Sequence, residues 1–357
     1  MSDGRVPAGR LRPGVAAIFA AGGCGASEAA AVADHLVEAN LMGHDSHGVI
    51  RVAKYIDWQK QGMVLPNRAP KVLRDEGVML MIDGQFGYGQ SVARTALGTA
   101  IDRAKSKGIA VLALRNIGHL GRIGAWAELA AAAGLVSLHF VNTSGFGMLV
   151  APHGGSDRRL SANPIAAGVP MPGGDPVILD MSTCVIAEGK IQVARNKKAQ
   201  LPDGAVLDGK GKPTRDAEVF YGNPPGAILP IAGHKGSGLS LMCEVLAGAL
   251  TGGGSTHPDN PTSKRLVNNM LSILIDANSL VGGSEFAADV KRLKAWVKAS
   301  PPIEKNGEVL LPGEIERRTR ADRDKNGIPL DDATRAQVLS AAAAVGLVRG
   351  EIDKALA

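Results

Sequence analysis

Between residues 78 and 141 the sequence alternates short apolar runs with Ala-rich helical patterns, and that rhythm restricts the fold more than any other feature. VMLMI (78–82), IAVLAL (109–114) and LVSLHFV (135–141) have the length and branching of strands. The stretches 91–107 and 123–133 between them repeat apolar residues at helical spacing. Strand–helix–strand order predicts an α/β class, with helices covering a sheet. Further strands are expected at 177–180, 228–231 and 268–276, and Gly- and Pro-rich connections at 144–156, 163–176 and 202–213.

Helices are expected on both sides of this region. Residues 26–42 carry an apolar stripe of Val32, Leu36, Val37 and Leu41, with Ser27 as N-cap and Glu28 in the first turn. Gly43 ends that helix, His44-Asp45-Ser46-His47-Gly48 follows, and a helical period resumes over 49–61. Residues 238–250 are apolar nearly all round and predict a buried helix, followed by a long polar loop at 251–264. An amphipathic helix is expected at 284–298, and another at 332–346 starting from an Asp331/Asp332 cap.

At 357 residues the chain exceeds what one apolar core usually serves, so two domains or a discontinuous pair are expected. Aromatic residues are only 3%, so the core must be built from Ala, Val, Leu, Ile and Met. The net charge of +6 fits surface lysines, an anionic small molecule or nucleic acid. Nucleic acid is disfavoured because the basic residues are scattered and stacking aromatics are few. Cys24, Cys184 and Cys243 lie far apart, which suggests neither a disulfide framework nor a zinc site. The N-terminal segment with Arg5, Arg10 and Arg12 reads as a helix packing on the body, its apolar run being too short for a signal peptide. No apolar run reaches ~18 residues, so no membrane span is expected, and the compartment is read as a reducing cytosol.

A dinucleotide fold usually declares itself by GxGxxG after its first strand, and that pattern is missing. The nearest feature, Gly118-His119-Leu120-Gly121-Arg122-Ile123-Gly124, has GxxGxxG spacing, which packing explains as well as phosphate binding. It does open a helix, and Arg115, His119 and Arg122 would add positive charge for an anion. The segment 233–238 lacks the ending of a phosphate-binding P-loop.

The turn 43–51 packs two imidazoles, a carboxylate, a hydroxyl and an arginine into nine residues. A polar turn with a capping Asp or Ser accounts for much of this. The chemical alternative is specific. Interconverting a 2-hydroxy acid and a 2-oxo acid needs a proton carrier, and His47 suits that near neutral pH. A substrate carboxylate needs a cation, best an arginine, and Arg51 lies one helical turn on. Asp180, ending an apolar strand, either orients His47 or caps a helix beginning near Ser182. His234-Lys235 puts cations where a helix N-terminus disfavours them, unless an anionic ligand sits there. The eight histidines show no HExxH pattern or paired ligand spacing, so no metal is expected.

ADHLVEANLMGHDSHGVIR (33–51), GHLGRIGAWAELAAAAGLVSLHF (118–140), ILDMST (178–183), GHKGSGLSLMCEVLAGALTGG (233–253) and LPGEIERRTR (311–320) together resemble the malate/L-lactate dehydrogenase type 2 family. AWVKASP (295–301) and NGIPLD (326–331) are similar to its hydroxycarboxylate dehydrogenase branch. The resemblance implies a non-Rossmann NAD(P) fold with a large, mostly antiparallel sheet, and a homodimer. Residues 1–75 and 295–357 would form a helical substrate and dimerisation domain, and 76–294 the cofactor-binding sheet domain.

Carried over by position, the resemblance makes His47 the acid/base histidine, with Ser46 and Asp180 as relay partners. His119 matches a residue that serves some members as proton acceptor and others as a cofactor contact. Cofactor-binding segments are matched by His119, Leu120, Gly121, Arg122 and Ile123; by Val177, Ile178, Leu179, Asp180, Met181 and Ser182 after Pro176; by His234 and Lys235; and by Gly313 and Glu314. Thr143 falls where members contact the nicotinamide side. NAD is the expected cofactor and NADP the alternative. A small 2-hydroxy acid is the expected substrate, with a cyclic imine of the piperideine- or pyrroline-2-carboxylate type as the alternative.

Overall fold

The computed structural model describes residues 4–145, 147–196, 198–260, 262, 264–348, 350 and 352. The first half of the chain runs β1 (Arg5–Val6), α1 (Ala8–Ala21), α2 (Ala26–Leu41), α3 (Arg51–Lys60), β2 (Lys71–Glu76), β3 (Met79–Asp83), α4 (Gly89–Lys107), β4 (Ile109–Ile117), α5 (Gly124–Ala132) and β5 (Val136–Gly145). Next come β6 (Pro164–Val169), β7 (Val177–Ser182), α6 (Glu188–Asn196), β8 (Val206–Leu207), β9 (Pro213–Thr214) and β10 (Ala227–Ile228). The chain continues with α7 (His234–Cys243), β11 (Leu266–Ile275), α8 (Gly283–Lys298), α9 (Glu314–Asn326), β12 (Ile328–Pro329) and α10 (Asp332–Ala344).

The expected α/β class is what forms, around one mixed sheet of seven strands ordered β2-β3-β4-β11-β5-β6-β7. Only β3 and β4 run parallel; the other neighbours are antiparallel. Alternation along the strands sends Leu80, Ile82, Leu112, Leu114, Val141, Met270 and Leu274 to one face, where they pack under α4 and α5. Those helices contribute mainly alanines, with Trp126 filling the gap, so a chain poor in aromatics still closes its core. A second apolar cluster joins the two ends of the chain, drawing on α1, α2 and α3 together with Ile328, Leu330, Val338, Ala341 and Ala342. The pairing of β1 with β12 ties those ends together.

Several expectations are corrected. α2 starts at Ala26 behind Gly25, and Ser27 does not cap it. Asn67 holds that start instead: its side chain accepts from Gly25 N at 2.6 Å, and its own amide donates to Glu28 at 2.7 Å. The Gly-rich stretch 163–176 contains the strand β6, because small residues are needed there. A Cβ on Gly168 would lie 2.5 Å from the Ala127 carbonyl oxygen of α5. Of the apolar run 228–231 only Ile228 joins a strand, the two-residue β10. The expected buried helix at 238–250 begins at His234, changes to a π turn at Glu244–Ala249, and leaves Leu239, Leu241, Met242, Val245 and Leu250 exposed. Only one side of it backs onto the sheet. α8 forms where expected, but none of its residues is buried. The polar strand β2 and the helices α6 and α9 gave no apolar period to read.

His35 and His139 are buried within this scaffold, at 4% and 0% exposure, and burial lowers each imidazole to about 3. An unfolded chain would bind protons at ordinary histidine affinity, so these residues make stability fall as pH drops from about 6.5 toward 3. Between about pH 7 and 5 each is expected to cost up to ~2 kcal/mol. Urea unfolding midpoints at the two pH values check this, and equal midpoints would exclude it.

Candidate active site

The polar turn after α2 divides its side chains between holding the fold and contacting His119 and α3. Asn40 braces it from below, its Oδ1 accepting from Val49 N at 2.8 Å and its Nδ2 donating to Asp45 at 2.6 Å. A Cβ on Gly48 would sit 2.2 Å from that Oδ1, so the close approach needs glycine. Arg323 of α9 donates to both Asp45 oxygens, at 2.6 and 3.0 Å, and His44 lies 3.5 Å from Glu316. Asp45 and His44 therefore anchor the turn to α9.

Ser46 and His47 take no part in that anchoring. Ser46 Oγ lies 3.0 Å from His47 Nδ1, and the His47 ring stacks on that of His119 with centroids 5.6 Å apart and 15° between planes. Arg51, at the start of α3, donates from Nε to the Ser46 carbonyl at 2.6 Å. Its two terminal nitrogens meet no acceptor among the described residues. One turn further along α3, the Tyr55 hydroxyl is 2.7 Å from His119 Nδ1. Gln90 donates to that hydroxyl at 3.0 Å and to the His119 carbonyl at 2.9 Å.

The loop 118–123 is pinned between the helical part and the sheet. Leu120 N donates to Asn268 Oδ1 at 2.8 Å, and Asn268 Nδ2 donates to Thr143 Oγ1 at 2.9 Å, which brings Thr143 beside the loop. Arg122 N donates to His35 Nε2 at 2.9 Å, while a Cβ on Gly121 would collide with the same ring. The positive charge expected here is mostly spent. Arg122, only 3% exposed, is held by both carboxylate oxygens of Glu128, and Arg115 pairs with Asp83 at 3.0 Å. The bare helix end is occupied as well: Asp180 Oδ2 accepts from Gly124 N, the first residue of α5, at 2.9 Å. Asp180 makes no hydrogen bond to His47 among the described residues, and the helix it caps is α5 rather than one starting near Ser182.

The remaining cofactor segments gather around β7. Ile178 N donates to the Pro312 carbonyl at 3.3 Å, and a Cβ on Gly313 would lie 3.3 Å from Ile178 Cβ. Glu314 does not face a ligand; its carboxylate accepts from Lys298 at 2.7 and 2.9 Å and from Leu311 N at 3.1 Å. Leu179 is exposed, Val177 and Met181 are half-buried, and Ser182 Oγ donates to the Ala162 carbonyl at 3.0 Å. Ile123 is buried in the core. His234 and Lys235 are exposed at the start of α7, which abuts the end of β7 through an Ile231 N to Thr183 carbonyl bond of 2.9 Å.

Tyr55, Gln90, His35 and Asn268 are site residues that the sequence reading did not single out. Tyr55 lies inside the helical period expected over 49–61. The spacing of 47, 51 and 55, four residues each time, was the available signal. Gln90 and Asn268 had none, being brought in from α4 and β11.

Residues 6–339 match the profile of the malate/L-lactate dehydrogenase family. Hydroxycarboxylate dehydrogenase B of Escherichia coli K12 is 40% identical over 347 residues, covering 97% of this chain and 96% of that protein. A solved structure described as a putative malate/lactate dehydrogenase from E. coli superposes with a TM-score of 0.92 at 39% identity, covering 98% of this chain and 97% of that one. The chain belongs to the malate/L-lactate dehydrogenase family. A Pseudomonas putida protein named delta(1)-pyrroline-2-carboxylate/delta(1)-piperideine-2-carboxylate reductase is also similar, 33% identical over 332 residues, 92% of this chain and 94% of that protein.

As a member of this family the protein is an oxidoreductase of 2-hydroxy acids that works with a nicotinamide cofactor. His47 is held well below the ordinary imidazole range, first by burial and then by the positive Arg51 beside it, with His119, His44 and His35 adding to the effect. His119 is lowered to about 3 by burial, Arg51 and His35. Both rings are therefore neutral near pH 7, the state in which an imidazole can accept a proton from a hydroxyl. The donor set also suits an anionic dinucleotide, since neither His234 nor Lys235 pairs with a carboxylate among the described residues.

Proposed function

We propose that this enzyme interconverts a small 2-hydroxy acid and its 2-oxo acid with NAD, NADP being the alternative, and that His47 carries the proton. One observation carries this reading: a neutral, half-buried His47 with the Ser46 hydroxyl on Nδ1 and a guanidinium four residues away whose outer nitrogens are uncommitted. Arg51 would hold the substrate carboxylate through those nitrogens, oriented by its own bond to the Ser46 carbonyl. His47 would take the hydroxyl proton on oxidation and return it on reduction. The nicotinamide, when bound, accepts or supplies the hydride. Residues 119–123, 176–182 and Gly313, with His234 and Lys235, would hold the dinucleotide, and Thr143 would lie on its nicotinamide side. The binding mode is read as non-Rossmann, because the end of α5 that a Rossmann pyrophosphate would use is filled by Asp180.

The same proposal divides the chain into a helical substrate and dimerisation domain, 1–75 with 295–357, and a cofactor-binding sheet domain, 76–294. It makes the enzyme a homodimer. The sheet face opposite α4 and α5 exposes Ile109, Leu138 and Leu179, and the end of α7 with the π turn that follows it adds Leu241, Met242, Val245 and Leu250. An apolar area of this kind on a monomer marks a partner surface, and a second copy satisfies it. A solution mass near twice the 36.8 kDa chain is expected by light scattering, and a monomer at micromolar concentration would refute it. Three buried free cysteines, and no described helix long and apolar enough to cross a membrane, support a cytoplasmic location.

A panel of pyruvate, oxaloacetate, phenylpyruvate and piperideine-2-carboxylate, each with NADH and NADPH, tests the assignment. Reduction of an open-chain 2-oxo acid with the highest kcat/KM, in the presence of NADH, is the expected outcome. Faster turnover of the ring imine would favour the second reading, a cyclic imine reductase, which the similarity to the Pseudomonas reductase supports.

A further inference from the structure

We propose that Tyr55 and Gln90 lock His119 in the tautomer with its proton on Nε2, so that His119 is a fixed hydrogen-bond donor into the site and the moving proton belongs to His47 alone. The inference rests on the functional reading above for what the donor meets, and on geometry alone for the tautomer. Gln90 Nε2 lies 2.9 Å from the His119 carbonyl oxygen, which can only accept, so the amide nitrogen rather than its oxygen must face that side. The same nitrogen is 3.0 Å from the Tyr55 hydroxyl, which therefore accepts from it and turns its own hydrogen to His119 Nδ1 at 2.7 Å. The backbone N–H of Gly121 also points at that Nδ1, from 3.3 Å. A proton on Nδ1 would face two donors at once; a lone pair there satisfies both.

The surroundings hold His119 in this state. Burial pushes the pKa of Tyr55 up, so it remains a phenol and keeps the hydrogen it donates. Arg51 from α3, His35 from α2 and His47 from the turn face the ring, and positive charge on any of them opposes a second proton on His119. The other edge of the ring, Nε2, meets no acceptor among the described residues, so its N–H is left for a ligand. His47 differs. Its Nδ1 neighbour is the Ser46 hydroxyl, which rotates to donate or accept and so accommodates His47 with or without an added proton. A bound nicotinamide would supply the hydride to C2 on reduction of the 2-oxo acid; the carbonyl oxygen would take the proton that leaves His47, and His119 Nε2–H would hold that oxygen without giving up its own hydrogen. Tyr55 and Gln90 are then positioning residues acting through His119.

Proton–nitrogen correlation spectra of protein labelled with ¹⁵N-histidine, with His119 assigned by a His119→Gln variant, read the tautomer directly in the absence of substrate. The expected wild-type result is a protonated Nε2 and bare Nδ1, persisting to about pH 5. Tyr55→Phe keeps the ring packing against Phe19, Trp58 and Tyr88 and so retains the fold. In that variant His119 should show both tautomers, and kcat should fall about tenfold, as for loss of one hydrogen bond in the transition state, with KM nearly unchanged. Gln90→Met should shift the tautomer in the same direction by less. A wild-type His119 protonated on Nδ1, or a Tyr55→Phe spectrum like wild type, would overturn the inference. Failure to reduce any 2-oxo acid with an intact Nε2–H signal would instead reject the functional reading alone.

Discussion

His47→Ala is expected to lower kcat by about 10²–10⁴-fold in either direction, the usual worth of a positioned general acid–base, while cofactor affinity stays close to wild type. The prediction is this large because nothing else nearby can take over the proton. His119 is directed away from the role by Tyr55 at its Nδ1, and Asp45 is committed to Arg323. Asp180 gives a carboxylate oxygen to the amide of Gly124. Ser46 touches His47 but has no basic group of its own, so Ser46→Ala should cost much less. Steady-state rates together with a fluorescence titration of the reduced cofactor separate chemistry from binding. A His47→Ala enzyme turning over within a few-fold of wild type would end the assignment. The lowered His47 also sets a pH dependence for oxidation of the hydroxy acid, which needs the neutral ring. Its kcat/KM should be level through neutral pH and fall only on the acid side of the ordinary histidine range.

Arg51→Met should raise the KM for the acid about 10–100-fold, matching the ~1.5–3 kcal/mol of a charge-assisted hydrogen bond, with a smaller change in kcat. On the proposed reading Arg51 holds the carboxylate: Nε is anchored on the Ser46 carbonyl, which fixes the guanidinium plane, and both outer nitrogens, which meet no acceptor among the described residues, would make two parallel bonds. Arg51→Lys should not restore the KM, because one ammonium cannot keep the Ser46 contact and present two donors. An unchanged KM in Arg51→Met would move the carboxylate elsewhere in the cleft. Removing this cation should also let the His47 ring titrate higher, since Arg51 is the largest charge depressing it.

The family relationship and the α/β class were legible in the sequence because both rest on local signals. Alternating apolar runs at 109–114 and 135–141 became β4 and β5, and motifs such as GHDSHGVIR carry their chemistry in adjacent residues. The division of labour inside those motifs was not legible. Arg122 and Arg115 look like anion ligands in one dimension, yet Glu128 and Asp83 neutralise them in three. Asp180 reads as a partner for His47, and β7 delivers it to the end of α5. The run 238–250 is apolar enough for a core, yet Leu241 and Leu250 stay exposed because the sheet covers only one side of it.

From its order of residues alone this chain determined which elements form, which family it joins and which side chains are capable of the chemistry, since propensity, periodicity and side-chain type are properties of neighbours in the chain. Only the tertiary structure decided which of those side chains remain available. A charge or a ring nitrogen is free or spent according to what lies within about 3 Å of it. For His119 that neighbour is Tyr55, 64 residues away, and for Asp180 it is Gly124, 56 residues away.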